Sequence, residues 1–233
     1  MSKKKNKWII GTVSIIVFSV IVLFCIAYFN TENKNDITSA TLEEQVENSI
    51  NLGQGMYITS TGKYTGVYME DGTDEIVSDV AMITVENKGN SIIQYAEITI
   101  PTDEGEANFS LSTLVPGGKM ILLEKNRMRS FADEVSTAVA DNIAIFSEPV
   151  SLCEDKVKLQ ILDGAINVTN ISGKDIEADI QIYYKNFVDG IYYGGITYRV
   201  KLENGLKTEE IRQIMADHFS ETNSRIMFVT CGE

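Results

Sequence analysis

The chain has 233 residues, a formal charge of −13, and only one His, three Cys and three Pro. That length suits one large domain or two small ones, and a hydrophobic content of 44% argues against disorder throughout. A lone His leaves little for imidazole catalysis or a His-rich metal site, and an acidic body repels phosphate backbones, which sets nucleic acid aside as a partner.

Residues 1–7 form a basic tail, with Lys3, Lys4, Lys5 and Lys7 ahead of any acidic residue. Residues 8–29, "WIIGTVSIIVFSVIVLFCIAYF", carry no charge. At about 1.5 Å per residue they suffice to cross a hydrocarbon layer of about 30 Å as a helix. Trp8 and Tyr28 stand at the two ends, where amphipathic rings suit the interface. The preceding lysines predict a single-pass anchor with its N-terminus cytoplasmic and the body extracellular. A cleaved signal peptide is the competing reading, but its apolar core would be shorter and end in small residues, whereas Tyr28 and Phe29 follow Ala27 here. Residues 30–54 read as a polar stalk, partly helical. Ser39 or Thr41 would cap a short helix over "SATLEEQVENSI", with Leu42, Val46 and Ile50 as its stripe.

Beyond the stalk, alternation with a period of two dominates. Residues 55–148 hold "VAMITVE", "QYAEITI", "ANFSLSTL", "KMILLE" and "NIAIF"; the turn "VPGG" separates the third and fourth. Residues 149–233 hold "KVKLQILDGAINVTN", a hairpin around Asp163-Gly164, then "IEADIQIYYKNF", "IYYGGITYRVKLE" and "SRIMFVT". Short strands at this spacing predict a mainly β fold of antiparallel sandwiches, two in tandem.

The two halves repeat one pattern. Ile83, Val85 and Asn87 match Ile166, Val168 and Asn170; with one residue added in the turn, Ile92, Ala96, Ile98 and Ile100 match Ile176, Ile180, Ile182 and Tyr184. Further on, "LVPGGKMILL" aligns with "LKTEEIRQIM" and "DNIAIF" with "SRIMFV". The alignment makes 207–219 a strand, while Ile211, Ile214, Met215 and His218 stand at helical spacing, so strand and helix both stay open there. Each Asn sits where a strand enters a turn, a place where its amide can bond nearby backbone.

The passage "INVTNISGKDIEADIQIYYKNFVDG" resembles the core of small bacterial Ig-like extracellular domains of the FxLYD type, with Val168, Asn170, Ser172, Ile176 and Tyr184 at comparable places. The resemblance implies an exported interaction module on a β-sandwich, often placed after a membrane or lipid anchor, and it brings no catalytic residues.

Chemistry is sparse. No nucleophile elbow or phosphate loop is present, the acidic turns lack EF-hand spacing, and we expect no catalytic residue, metal or cofactor. Cys153 and Cys231 flank the second half, where first and last strands are neighbours in a sandwich; a disulfide and two free thiols are both open readings. Tyr183, Phe187, Tyr192, Tyr193 and Tyr198 crowd around "NFVDGIYYGG", and the outward-facing ones form a candidate patch for a protein or glycan. The expectation is therefore a non-catalytic, membrane-anchored binding or assembly protein of a bacterial envelope. The alternative is a structural subunit or spacer of a secretion or surface complex, a homo-oligomer joined through anchor and stalk.

Overall fold

The computed structural model describes residues 40–45, 49–103, 105–129, 131 and 135–232, and these lie in one compact unit. The chain is mainly β, and no helix occurs among the described residues. The anchor expected at 8–29 lies outside them; within them no helix is long and apolar enough to cross a membrane.

The first half contributes β1 (Thr41–Gln45), β2 (Ile50–Gly53), β3 (Met56–Val67), β4 (Ile76–Asn87), β5 (Ile93–Thr102), β6 (Gly105–Leu114), β7 (Lys119–Leu123) and β8 (Val139–Ile145). The second contributes β9 (Val157–Leu162), β10 (Ala165–Asn170), β11 (Ile180–Val188), β12 (Ile191–Leu202), β13 (Ile211–Met215) and β14 (Ser224–Cys231). An eight-stranded sheet runs β1-β3-β4-β7-β12-β11-β14, with β2 beside β1 on the outer side of β3. Two three-stranded sheets, β6-β5-β8 and β13-β10-β9, complete the fold.

The stalk reading needs correction. Thr41–Gln45 and Ile50–Gly53 are strands, paired with Thr61–Thr65 and Met56–Ile58 of β3. The helix proposed there had a single weak apolar stripe. Pairing with β3 instead satisfies the backbone, buries Leu52 beside Met56 and Ile58 in one core, and sets Glu43 2.9 Å from Lys63. The segment left open between strand and helix resolves as a strand, β13. It pairs with β10 over Ile211–Met215, and that backbone pairing outweighs the helical spacing of its apolar residues.

The internal repeat is written in the hydrogen-bond register. In the first copy Ile83 faces Leu122 and Val85 faces Met120; in the second Ile166 faces Ile214 and Val168 faces Arg212. Met56 faces Asn87 as Val157 faces Asn170. Ala96, Ile98 and Ile100 face Leu111, Phe109 and Ala107, as Ile180, Ile182 and Tyr184 face Leu202, Val200 and Tyr198. The last matched block keeps its strand but shifts its register: Ile98 and Ile182 pair with Ala140 and Val229, not with aligned residues.

Each copy has its own core, on opposite faces of β11. Residues of one parity, Ile180, Ile182 and Tyr184, enter the core with Ile166, Val168 and Val229. Phe187, of the other parity, joins the core of the first copy, together with Tyr192 and Met227. The eight-stranded sheet thus takes β1, β2, β3, β4 and β7 from the first half and β12, β11 and β14 from the second, joined by parallel pairing of Lys119–Ile121 with Ile191–Tyr193.

Candidate functional site

The join between the copies is made by the tract that distinguishes the second from the first. In copy one the chain turns from Ile100 back to Ala107 within a tight hairpin; in copy two the equivalent path from Tyr184 to Tyr198 is twice as long. The added residues include the Tyr-rich stretch, and they carry the start of β12 across to β7. There β12 bulges: Gly194, Gly195, Ile196 and Thr197 lie opposite the single Lys185 of β11.

Lys185 is wholly buried, and its ammonium donates to the carbonyls of Gly194, Gly195 and Ile196 at 3.3, 3.0 and 2.6 Å. The carboxylate of Glu70, from the other copy, accepts from the amides of Leu123 (2.9 Å) and Gly195 (2.8 Å). Burial pushes the Glu70 carboxyl up to about 7, against the pull of those amides and of Lys185. Burial likewise lowers the Lys185 ammonium to about 7, against the attraction of Glu70. Ser112 of β6 adds a bond to the Gly195 carbonyl (2.8 Å) and one shared with the Thr197 hydroxyl (2.8 Å). Sequence reading missed Glu70 and Lys185, since nothing in the spacing of either marks it as a charge withdrawn from water.

The aromatic residues singled out from sequence serve this join and the two cores. Tyr192 is buried, in tilted contact with Phe187 (4.9 Å) within the first core. Tyr198 stacks between Tyr184 (5.2 Å) and His218 (4.9 Å) beside the second core, and burial raises its hydroxyl to about 12. Tyr183 stacks on Phe228 at 4.1 Å, and Tyr193 stands in register with Ile121. These side chains divide between the two faces of the sheet, so they do not make one outward patch; all are at least partly buried. His218 reaches across to Asp74, with its Nδ1 3.4 Å away.

A different surface is open. In copy one, β2 lies along the outer edge of β3, pairing with Met56, Tyr57 and Ile58 and placing Leu52 and Ile50 against the core. The equivalent residues of copy two are Val157, Lys158 and Leu159 of β9, and among the described residues no strand pairs with that edge. The corresponding preceding segment leans the other way: the Ser151 carbonyl accepts from Val229 of β14, and the Cys153 thiol donates to the Val229 carbonyl at 3.3 Å. Cys153 holds a left-handed backbone (φ 51°) and its carbonyl accepts from Lys156 and Val157, a turn that directs the segment off β9. Between them lies a groove of about 390 Å³ lined by Leu152, Val157, Leu159, Ile161, Ile171 and Ile226. Leu152, Ile161 and Ile171 remain exposed there, an apolar row of the kind that sheet edges seldom leave to water.

Cys153 and Cys231 are free thiols in contact with each other, at the same end of β14. Among the described residues no cluster of three or more His, Cys, Asp or Glu is placed to hold a metal ion. Asn170, which formally starts a glycosylation sequon, is buried with its amide fully engaged. In comparisons with known proteins, no family model matches the chain and no curated protein matches it.

Proposed function

We propose that this chain is a non-catalytic, membrane-anchored binding protein of a bacterial envelope, whose extracellular Ig-like second copy captures an extended peptide strand of a partner protein along β9. One observation carries the reading: the groove beside β9 stands where the first copy seats its own strand β2. On this reading the first copy, with β2 seated on β3, is the template for the occupied site. Its occupant is an extended segment with apolar side chains at alternate positions, as Ile50 and Leu52 are in β2. Main-chain bonds to the free edge would supply affinity, and the apolar wall would select the alternate side chains. The uncharged span at 8–29 and the lysines before it support the anchor and its orientation.

The test uses the full chain in detergent and a synthetic peptide, NSINLGQ, copied from residues 48–54. Saturable binding, with slowed amide exchange confined to Val157–Leu162, is the expected result. Ile161→Asp, at a partly exposed position, should abolish binding while leaving the melting temperature unchanged. Unaltered exchange in β9 at saturating peptide, or undiminished binding by Ile161→Asp, would reject the reading.

A further inference from the structure

We infer that Cys153 and Cys231 close into a disulfide that pins residues 151–153 to β14 and so fixes Leu152 as one wall of the β9 groove. The role of the wall rests on the strand-capture reading above; the bond itself does not.

The geometry comes from three independent contacts. The Ser151 carbonyl accepts from the Val229 amide at 2.8 Å, which seats the segment on the edge of β14. The Cys153 amide donates to the Ser151 hydroxyl at 2.9 Å, folding the segment so that its thiol points at the strand. That thiol lies 3.3 Å from the Val229 carbonyl, and Cys231, two residues along β14, presents its side chain on the face Val229 shares, in contact with Cys153. The first copy shows what the segment does without such a tie. Ile50 precedes Met56 by the same spacing as Ser151 precedes Val157, yet Ile50–Gly53 folds onto β3 and closes the equivalent groove. No Cys stands in that part of the first copy.

Oxidation needs an acceptor for two electrons, and a small disulfide such as oxidised glutathione provides it. The partly exposed Cys153 attacks as thiolate, forming a mixed disulfide and releasing one glutathione thiolate. The buried Cys231 gives up its proton and displaces the second glutathione from Cys153, leaving the Cys153–Cys231 bond and two reduced glutathiones.

The experiment incubates the full chain with oxidised glutathione, alkylates it in denaturant without reductant, and maps the peptides by mass. A crosslinked Cys153–Cys231 peptide is expected, together with a melting temperature about 5–10 °C above that of the reduced chain. Cys153→Ser should lose both. Recovery of both cysteines alkylated, or of glutathione adducts without the crosslink, would overturn the bond. The NSINLGQ peptide should bind the oxidised chain roughly two- to tenfold more tightly than the reduced chain, because the wall is ordered beforehand. Equal binding would overturn the role of the wall. A crosslink in a chain that binds no peptide would uphold the bond and overturn the strand-capture reading, so the two fail separately.

Discussion

Glu70 and Lys185 meet through one residue: the Gly195 amide donates to the Glu70 carboxylate, and the Gly195 carbonyl accepts from the Lys185 ammonium. The two charges come from different copies and are withdrawn from water where β12 leaves β7, Lys185 fully buried and Glu70 half-buried. A buried pair of this kind is a weak source of net stability, but removing one partner strands the other in a low-dielectric site.

Lys185→Met should therefore destabilise the chain by about 3–5 kcal/mol, because Glu70 loses the charge that favours its ionised form and three carbonyls each lose a hydrogen bond. Adding Glu70→Gln should recover part of that loss, since Gln still accepts from one of the two amides. Urea unfolding of both single variants and the double variant closes the cycle. Strictly additive losses would mean that the two groups do not act as a pair.

The same pair sets a pH signature. Glu70 binds its proton more tightly folded than unfolded, so its contribution to stability falls as pH rises from about 4.5 to about 7 and stays lost above. Lys185 holds its proton less tightly folded, so its contribution is lowest below about 7 and recovers as pH rises toward about 10.5. The stability of the wild type relative to the Glu70→Gln/Lys185→Met variant should pass through a minimum near neutrality. Thermal melts of both proteins across pH 5–10 provide the check; a flat difference would contradict it.

Asn87 and Asn170 do the same work in the two copies. The Asn87 amide donates to the carbonyls of Ser91 and Leu114, and the Asn170 amide to those of Lys174 and Leu206. Their side-chain oxygens accept from the amides of Gly89 and Ser172, two residues on. Each substitution to Ala should cost about 2–3 kcal/mol, since a buried carbonyl loses a hydrogen bond in each case. Asp should not rescue either site, because a carboxylate has no donor for those carbonyls. Denaturant midpoints measure this, and a neutral Asn170→Asp would refute the role of the amide.

Those asparagines explain why so much of the strand plan was legible in sequence. Alternation marked Ile83, Val85, Ile166 and Val168, and the turn-forming Asn anchored the alignment, because both are local signals that one strand carries alone. Sheet membership was hidden: β7 pairs with β12 of the other copy through only Lys119–Ile121, a nonlocal match with no sequence period. The stalk misled because a short polar segment takes its structure from the edge it meets, here β3. The Tyr-rich tract lies in the longer path that the second copy takes from Tyr184 to Tyr198. Its position could not be read, since alternation says that neighbours face opposite ways but not that both faces of β11 are covered.

Gly195 gives the sharpest test of the join. A Cβ built there would stand 1.8 Å from the Ser110 carbonyl oxygen and 3.0 Å from Glu70 Oε2, so β12 could not approach β6 without moving backbone. Gly190, in the turn between β11 and β12, has a left-handed φ of 88° but open space around its Cα. Gly190→Ala should thus cost only the conformational penalty, about 1–2 kcal/mol. Gly195→Ala should cost about 4 kcal/mol or more, because it displaces the amide that Glu70 accepts from and the carbonyl that Lys185 and Ser112 donate to. In the Lys185→Met/Glu70→Gln background the Gly195→Ala penalty should shrink, as part of what it disrupts is already gone. Urea unfolding of the two glycine variants, in both backgrounds, separates backbone collision from lost charge contacts: an unchanged penalty would assign the whole effect to Ser110.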